Sequence, residues 1–348
     1  MDFDYQYRRH VDAVQLLGQG GSPLRAAVMN PARARNKTNG SRMNCSTGFL
    51  AVSPLHRIFW RAVGNPDGIP VVVIHGGPGS CLNAVAEQLF DLRMFYVVSY
   101  DQRGCGKSRP AGSLDDNTTQ GLVEDIERLR TLLNVDKWLI VAGSWGTTLA
   151  LLYSKHHPSR CLGLVLRGVT EWTEEKFDWA LFDRRQIEPL AYADFPLVSS
   201  GCTAGDIVND FARAVESPNE EFRSFAARTW KRAERYFEIP QGRSDMPSAV
   251  QNPDIVSSAR IQLHYWKNCA FIDNSEIFAD REDKFPVTLV HGQLDFVCPL
   301  SFARRAHAKL PGSTLRVVPM AGHTFSDMAL FQALRHEVRV IAEKLKVQ

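Results

Sequence analysis

Short uninterrupted apolar runs alternate along the chain with stretches in which apolar residues recur every three or four positions. The runs are Val71-Val72-Val73-Ile74, Phe95-Tyr96-Val97-Val98, Trp138-Leu139-Ile140-Val141 and Leu164-Val165-Leu166. β-Branched and aromatic residues without polar alternation predict strands buried on both faces. Leu122 to Leu133 and Gly146 to His157 show helical spacing, the second stretch stopped by Pro158. This order predicts an α/β fold, a mostly parallel sheet flanked by helices. After Leu166 the pattern breaks. From 171 to 284 Trp, Phe, Arg and Glu recur at helical spacing with almost no strand signal, which predicts a helical cap insertion. Strands resume at Val287-Thr288-Leu289-Val290 and Leu315-Arg316-Val317-Val318, and a last amphipathic helix runs from Asp327 towards Leu345. No internal repeat is visible. The expected core is therefore 47–170 together with 285–348, and the cap is 171–284.

Residues 1–46 differ from the rest. Arg8, Arg9, Arg25, Arg33, Arg35, Lys37 and Arg42 stand among Gly, Ser and Asn, with apolar residues too sparse to repay the entropy of ordering. The expectation is a flexible extension, or else a stretch ahead of a true start at Met29 or Met43.

Composition narrows the function. A chain of 348 residues, 44% apolar and 23% charged, can bury a large core. A formal charge of +3, with no basic run beside an aromatic platform, argues against nucleic acid. No segment approaches the roughly 20 apolar residues of a membrane helix, and the start, with Asp2 and Asp4, lacks the apolar stretch of a signal peptide. Neither secretion nor membrane insertion is expected. The seven cysteines, Cys45, Cys81, Cys105, Cys161, Cys202, Cys269 and Cys298, are scattered and never form a C-x-x-C pair, as suits reduced thiols in a cytoplasmic protein. The sequons at Asn44 and Asn117 carry no meaning in that compartment. His156 and His157 lie near Cys161, but neighbours on a helix point about 100° apart and cannot share one ion in the usual manner. No metal site is expected.

The chemistry sits at the ends of the predicted strands. In Val141-Ala142-Gly143-Ser144-Trp145-Gly146 a strand passes into a helix with a serine at the joint and small residues around it. That is the pattern of a nucleophile elbow, with Ala142 where the first glycine of G-x-S-x-G usually stands. A lone serine at a helix start is more often only a cap. Here, however, His75-Gly76-Gly77-Pro78-Gly79 follows the first core strand, and its glycines leave backbone N–H groups free for a developing oxyanion. We assign that hole to Gly77 and Trp145. A hydroxyl also needs a base, and the base needs an orienting acid. Asp295 follows the strand at 287–290, and His323 follows the strand at 315–318. Ser144, Asp295 and His323 occur in the chain order of the α/β-hydrolase triad. His75 and His291 are better explained by orienting their loops.

The stretches HGGPG (75–79), DQRGCGKSRP (101–110), NTTQGLVEDIERLR (117–130), GSWGTTLALLY (143–153), LVLRG (164–168) and VHGQLDFVCP (290–299) resemble the proline iminopeptidases. These are cofactor-free aminopeptidases of the α/β-hydrolase fold that remove an N-terminal proline. The similarity is dense from about 47 to 170, continues in AARTWKRAE (226–234) and SARIQLHYW (258–266), and returns at 286–323. It implies that a substrate amine is held by two cap glutamates. Glu234 matches the first, and Arg167 matches an arginine that helps hold it. Gln262 stands where the second glutamate is usual, and Thr170 stands where an aromatic residue normally supports the proline ring. Trp230 and Tyr265 are candidate pocket walls.

The expected partner is thus a small peptide or small molecule. The main expectation is release of an N-terminal proline or another small residue through an acyl-enzyme on Ser144. The altered Gln262 and Thr170 leave open an esterase or amidase acting on a small metabolite. A non-catalytic ligand-binding homologue is disfavoured by the intact triad, and relatives that open epoxides or remove halides place an aspartate where Ser144 stands.

Overall fold

The computed structural model describes residues 44–195, 201–238, 254–279, 281 and 283–346. Residues 1–43, most of the segment read as an extension, lie outside the described residues. The eight strands among the described residues are β1 (Asn44–Ala51), β2 (Arg57–Gly64), β3 (Ile69–Ile74), β4 (Phe95–Tyr100), β5 (Trp138–Gly143), β6 (Cys161–Arg167), β7 (Val287–Gly292) and β8 (Thr314–Val318). They form one sheet in the order β1-β2-β4-β3-β5-β6-β7-β8. β1 and β2 pair antiparallel at one edge, β2 joins β4 antiparallel, and every later pairing is parallel.

Successive residues of a strand face opposite sides of the sheet, so a continuous apolar run serves two cores. Val72, Ile74, Val98, Ile140 and Leu164 pack on one side with α1 (Thr119–Leu132) and α2 (Trp145–His156). Val71, Val73, Val97, Leu139 and Val165 pack on the other with Leu330, Leu334 and Val338 of the last helix. Each such side chain, fully buried, contributes about 1.5–3 kcal/mol.

The first hairpin corrects the sequence reading. Residues 44–46, expected to end the extension, begin β1, with Asn44 opposite Gly64, Cys45 opposite Val63 and Ser46 opposite Ala62. An edge strand has one neighbour and one wet face, so polar residues suit it and it leaves little periodic signal.

Between β6 and β7 the described residues hold helices and no strand. Glu174–Asp178, the π-turn Trp179–Asp183 and Arg184–Ile187 follow one another, then α3 (Ala204–Ala214), α4 (Glu220–Tyr236) and α5 (Ile255–Lys267). Thr203 and Asp206 form a reciprocal capping box at the start of α3, and the Asn219 side chain accepts from the Phe222 N–H at the start of α4. A chain of rings, Phe195, Phe211, Trp230 and Trp266, with centroids 4.7, 5.2 and 5.3 Å apart in that order, fills the cap interior. After β7 come α6 (Leu300–Lys309) and, after β8, α7 (Met328–Lys346). No helix among the described residues is long and apolar enough to cross a membrane.

Two contacts seat α5 on the core, and two more brace the residues it rests on. A Cβ on Gly79 (φ +82°) would stand 2.3 Å from the Ser258 carbonyl, so that loop and helix touch backbone to backbone. Tyr265 donates to Asn117 Oδ1 at 2.8 Å, and Asn117 Nδ2 donates to the Arg103 carbonyl at 3.1 Å. Arg103 is locked by a buried pair with Asp125 at 2.7 Å. The DQRG stretch is thus a base plate for the cap.

Candidate active site

Ser144 is the one residue from Trp138 to Ser154 that is not buried. Its backbone is left-handed, φ 55° and ψ −126°, a conformation costly for a residue with a Cβ. The neighbours hold it there. Ser144 N–H donates to the Arg167 carbonyl on β6 at 2.8 Å, and Thr147 N–H donates to the Ser144 carbonyl at 2.8 Å. A Cβ on Gly146 would meet the Ile74 carbonyl at 2.5 Å, so only glycine lets α2 start this close to β3. Ala142 is 3% exposed and pairs with Ile74 and Leu166 inside the sheet, which absorbs its extra methyl.

Asp295 and His323 meet: His323 Nδ1 lies 2.7 Å from Asp295 Oδ2. The other carboxylate oxygen accepts the N–H groups of Val297 at 3.0 Å and Cys298 at 2.8 Å. Burial alone would raise this carboxyl. The charge and hydrogen bond of His323, then His291 and the Cys298 N–H, outweigh burial and hold it below the usual carboxylate range. A Cβ on Gly168 would stand 2.9 Å from His323 Cε1 and 3.3 Å from Asp295 Oδ2. The residue before it, Arg167, is the one whose carbonyl binds Ser144, so one turn of backbone connects the pair to the serine. Among the described residues no hydrogen bond joins Ser144 Oγ to His323. Such contacts often tighten only with substrate bound.

Gly77 (φ +121°) and Trp145 both border the cavity above Ser144, and the described hydrogen bonds leave their backbone N–H groups without a protein acceptor. The HGGPG loop is fixed from below. Gln102 N–H donates to His75 Nε2 at 3.0 Å, His75 Nδ1 donates to the Gly76 carbonyl at 2.8 Å, and Trp145 Nε1 donates to Gln102 Oε1 at 2.9 Å. This bonding defines the neutral Nδ1–H tautomer of His75, and burial lowers its basicity further. His291 donates to the Cys298 carbonyl at 2.7 Å and so steadies the Asp295 loop.

The cavity, open at its mouth, is lined by Ser144, Thr170, Lys176, Arg184, Glu234 and Gln262 among others. Glu234 Oε1 accepts from Gln262 Nε2 at 2.8 Å, and Oε2 accepts from Lys231 at 2.8 Å. Burial would raise Glu234; Lys231, Gln262 and Arg184 together hold it below its ordinary value. Gln262 Oε1 in turn accepts from Lys231 at 2.8 Å and from Trp230 Nε1 at 3.1 Å. Thr170 is 4% exposed, and the next residue, Glu171, is clamped by Arg305. Trp230 lines the cavity, whereas Tyr265 lies beneath Trp145, centroids 4.9 Å apart.

Arg167 requires a correction. Expected to hold Glu234, it donates Nη1 to the His323 carbonyl and stacks on Phe325 at 5.0 Å. It ends β6, flanked by β5 and β7, so its hydrogen bond goes to the loop after β8, and the cap carboxylate whose charge reaches it is Glu238, not Glu234. The sequence reading also missed Lys231, which neutralises Glu234, and Lys176, which lines the cavity. Lys231 lies three residues before Glu234 on α4, a spacing that places two side chains on one face. Lys176, within Thr173-Glu174-Glu175-Lys176, looks like any solvated helix start. Among the described residues no group of three or more His, Cys, Asp or Glu side chains is placed to hold a metal ion.

Comparison with known proteins agrees with this layout. A family profile described as alpha/beta hydrolase fold matches residues 69–327. The proline iminopeptidase of Arabidopsis thaliana is 34% identical over 334 residues, covering 93% of this chain and 87% of its own length. That of Xylella fastidiosa strain 9a5c is 36% identical over 292 residues, covering 82% and 93%. The crystal structure of a proline iminopeptidase-related protein from Thermus thermophilus superposes with a TM-score of 0.59 at 22% identity, covering 86% of this chain and 99% of that one.

Proposed function

This chain belongs to the α/β-hydrolase fold family and, within it, to the proline iminopeptidases, and from that premise we propose that it hydrolyses the bond after an N-terminal residue, proline or another small one, through an acyl-enzyme on Ser144. The observation that carries the proposal is the buried Asp295–His323 pair, one backbone turn from a serine held at φ 55°. In this reading Ser144 Oγ attacks the scissile carbonyl and its proton passes to His323 Nε2, while Asp295 fixes the Nδ1–H tautomer and faces the imidazolium that forms. The oxyanion takes the N–H groups of Gly77 and Trp145. His323 returns the proton to the leaving amine, and water, activated by the same imidazole, releases the acyl group. The core, 47–170 and 285–348, supplies the reacting groups. The cap, 171–284, supplies Glu234 for the substrate's amine, with Gln262 orienting Glu234, and Thr170, at the end of the core segment, forms part of the wall. Seven unpaired cysteines suit a reducing, cytoplasmic setting.

One observation favours a second reading, hydrolysis of esters or amides that carry no amine: Glu234 already has a cationic partner in Lys231. Prolyl and amine-free ester reporters separate the two. Glu234→Gln is expected to lower kcat/KM on prolyl reporters by about 5- to 150-fold and to spare the esters. Ser144→Ala tests the shared premise. Turnover and labelling by a fluorophosphonate should both vanish while the melting temperature holds, because the hydroxyl makes no helix-capping hydrogen bond. A variant that still turns over substrate would refute the role of Ser144.

A further inference from the structure

The acyl-transfer chemistry leaves one group of the cavity without a task. Lys176 is 8% exposed, lines the cavity that reaches Ser144, and lies with Nζ 3.3 Å from the ring centre of Trp172 and 5.2 Å from that of Trp266. Among the described residues its ammonium donates no hydrogen bond and forms no ion pair, although the charge of Glu234 reaches it. An aromatic face offsets part of the cost of burying a cation, and a counter-charge offsets far more.

A second positive charge stands nearby. Arg184, 4% exposed, also lines the cavity; its Nε and Nη2 go to the Ala180 carbonyl at 3.3 and 3.2 Å, and its guanidinium lies over Phe237. The π-turn Trp179–Asp183 places that carbonyl there, and such turns recur at binding sites. Among the described residues Glu234 is the one carboxylate that lines the cavity, and Lys231 already pairs with it. Glu238, one turn further on, is drawn towards its neutral form by burial and by the charge of Glu234. Among the described residues the wall therefore carries two cations that form no ion pair, Lys176 and Arg184, and both share the charge of one carboxylate, Glu234, that is hydrogen-bonded to a third cation, Lys231; an anionic group is what balances it.

We propose that Lys176 determines specificity for an acyl group bearing a carboxylate, so that the site takes, beside the substrates proposed above, amides or esters of acidic acyl groups, N-terminal glutamyl and aspartyl residues among them, and favours these over their neutral isosteres. The proposal rests on the Ser144 hydrolase reading and names the substrate class of that site. The carboxylate would pair with the Lys176 ammonium, and the α-amine of an N-terminal residue, where present, would lie towards Glu234. Burial, reinforced by Arg184 and partly offset by Cys298 and Glu234, brings the Lys176 ammonium down to about 8. The charge that reads the carboxylate is present below that value and is lost above it. Cys298, the other titratable group facing it, is pushed up to about 12 by burial and stays a thiol throughout.

The test compares kcat/KM for glutamyl, glutaminyl, glutaryl and prolyl anilides, with fluorophosphonate labelling of Ser144 alongside. The wild type is expected to favour glutamyl over glutaminyl by about 10- to 100-fold, and the ratio is expected to fall as the pH rises through about 8. Both reporters carry the same α-amine, so its titration cancels in the ratio. Lys176→Met should bring the ratio close to one with a melting temperature no lower than the wild type, since an unpaired buried charge is removed; should that variant melt early, the pH dependence of the wild-type ratio gives the same reading. Glutaryl turnover as strong as glutamyl identifies an amine-free acidic acyl group, and glutamyl alone identifies an N-terminal acidic residue. A wild-type ratio at or below one, or a ratio that Lys176→Met leaves unmoved, overturns the proposal. A protein that is labelled at Ser144 without any preference for a carboxylate refutes this inference alone, whereas one neither labelled nor active on any reporter refutes the hydrolase reading and this inference with it.

Discussion

Asp295 is a buried carboxylate and Glu234 a half-buried one, and each is held below its ordinary value because specific partners outweigh the cost of burial. For Asp295 the foremost partner is the imidazole of His323. Its folded-state value lies below the unfolded one of about 3.9, so it contributes stability that is present above that pH and is lost as the pH falls through the folded value. Asp295→Asn removes this contribution. Denaturant titrations should therefore show a stability gap between wild type and variant at neutral pH that narrows steadily below about pH 4. A gap independent of pH would mean that the carboxyl is not held low. The same substitution leaves the imidazole free to take the wrong tautomer and should lower kcat by about 10⁴-fold.

At the scale of elements, the site is made by close approaches of backbone. Strand β5 and helix α2 meet at Ser144 only because Gly146 lets the helix start against β3, and α5 sits on the HGGPG loop only because Gly79 has no side chain. Gly79→Ala places a methyl 2.3 Å from the Ser258 carbonyl at φ +82°. The expected result is a loss of about 1–3 kcal/mol, read as a lower melting temperature, with a lower kcat/KM because α5 carries Gln262 and Trp266. Unaltered melting would show that loop and helix are not held in contact. The cap helices place the reading groups by the same logic: Glu234 is set on α4 by its ladder to Gln262 on α5, and its charge is balanced within one turn by Lys231.

For the whole molecule, the sheet ends in the antiparallel pair β1 and β2, which joins the parallel strands through β4. Residues 1–43 precede β1, and their composition cannot contribute much to a core. Removing them is expected to leave kcat/KM and the melting temperature unchanged. Removing residues 1–51 takes away the whole of β1 and leaves β2 as a bare edge along Arg57–Gly64, which should lower the melting temperature and promote association. Equal behaviour of the two truncations, followed by thermal melts and light scattering, would mean that β1 adds nothing to the sheet.

The parallel strands, the helices between them and the helical insertion were legible in the amino-acid sequence because buried strands read as continuous apolar runs and flanking helices carry a 3.6-residue period. So were Ser144, Asp295 and His323 as candidates, since the ends of such strands are where this architecture exposes side chains. The edge hairpin was not, because a strand with one wet face tolerates polar residues such as Cys45, Ser46 and Thr47. The partner of Arg167 was not, because direction across a sheet depends on which strands are its neighbours. The cavity's charge balance was furthest from reach. Lys176, Arg184, Lys231 and Glu234 are ordinary helix charges in sequence, and it is the packing of Trp172 and Trp266 around Lys176, and of Lys231 against Glu234, that leaves Lys176 without an ion pair among the described residues. Periodicity along a chain records which residues leave water; which charges meet is decided by contacts between segments far apart in the chain, and those exist only once the cap has closed on the sheet.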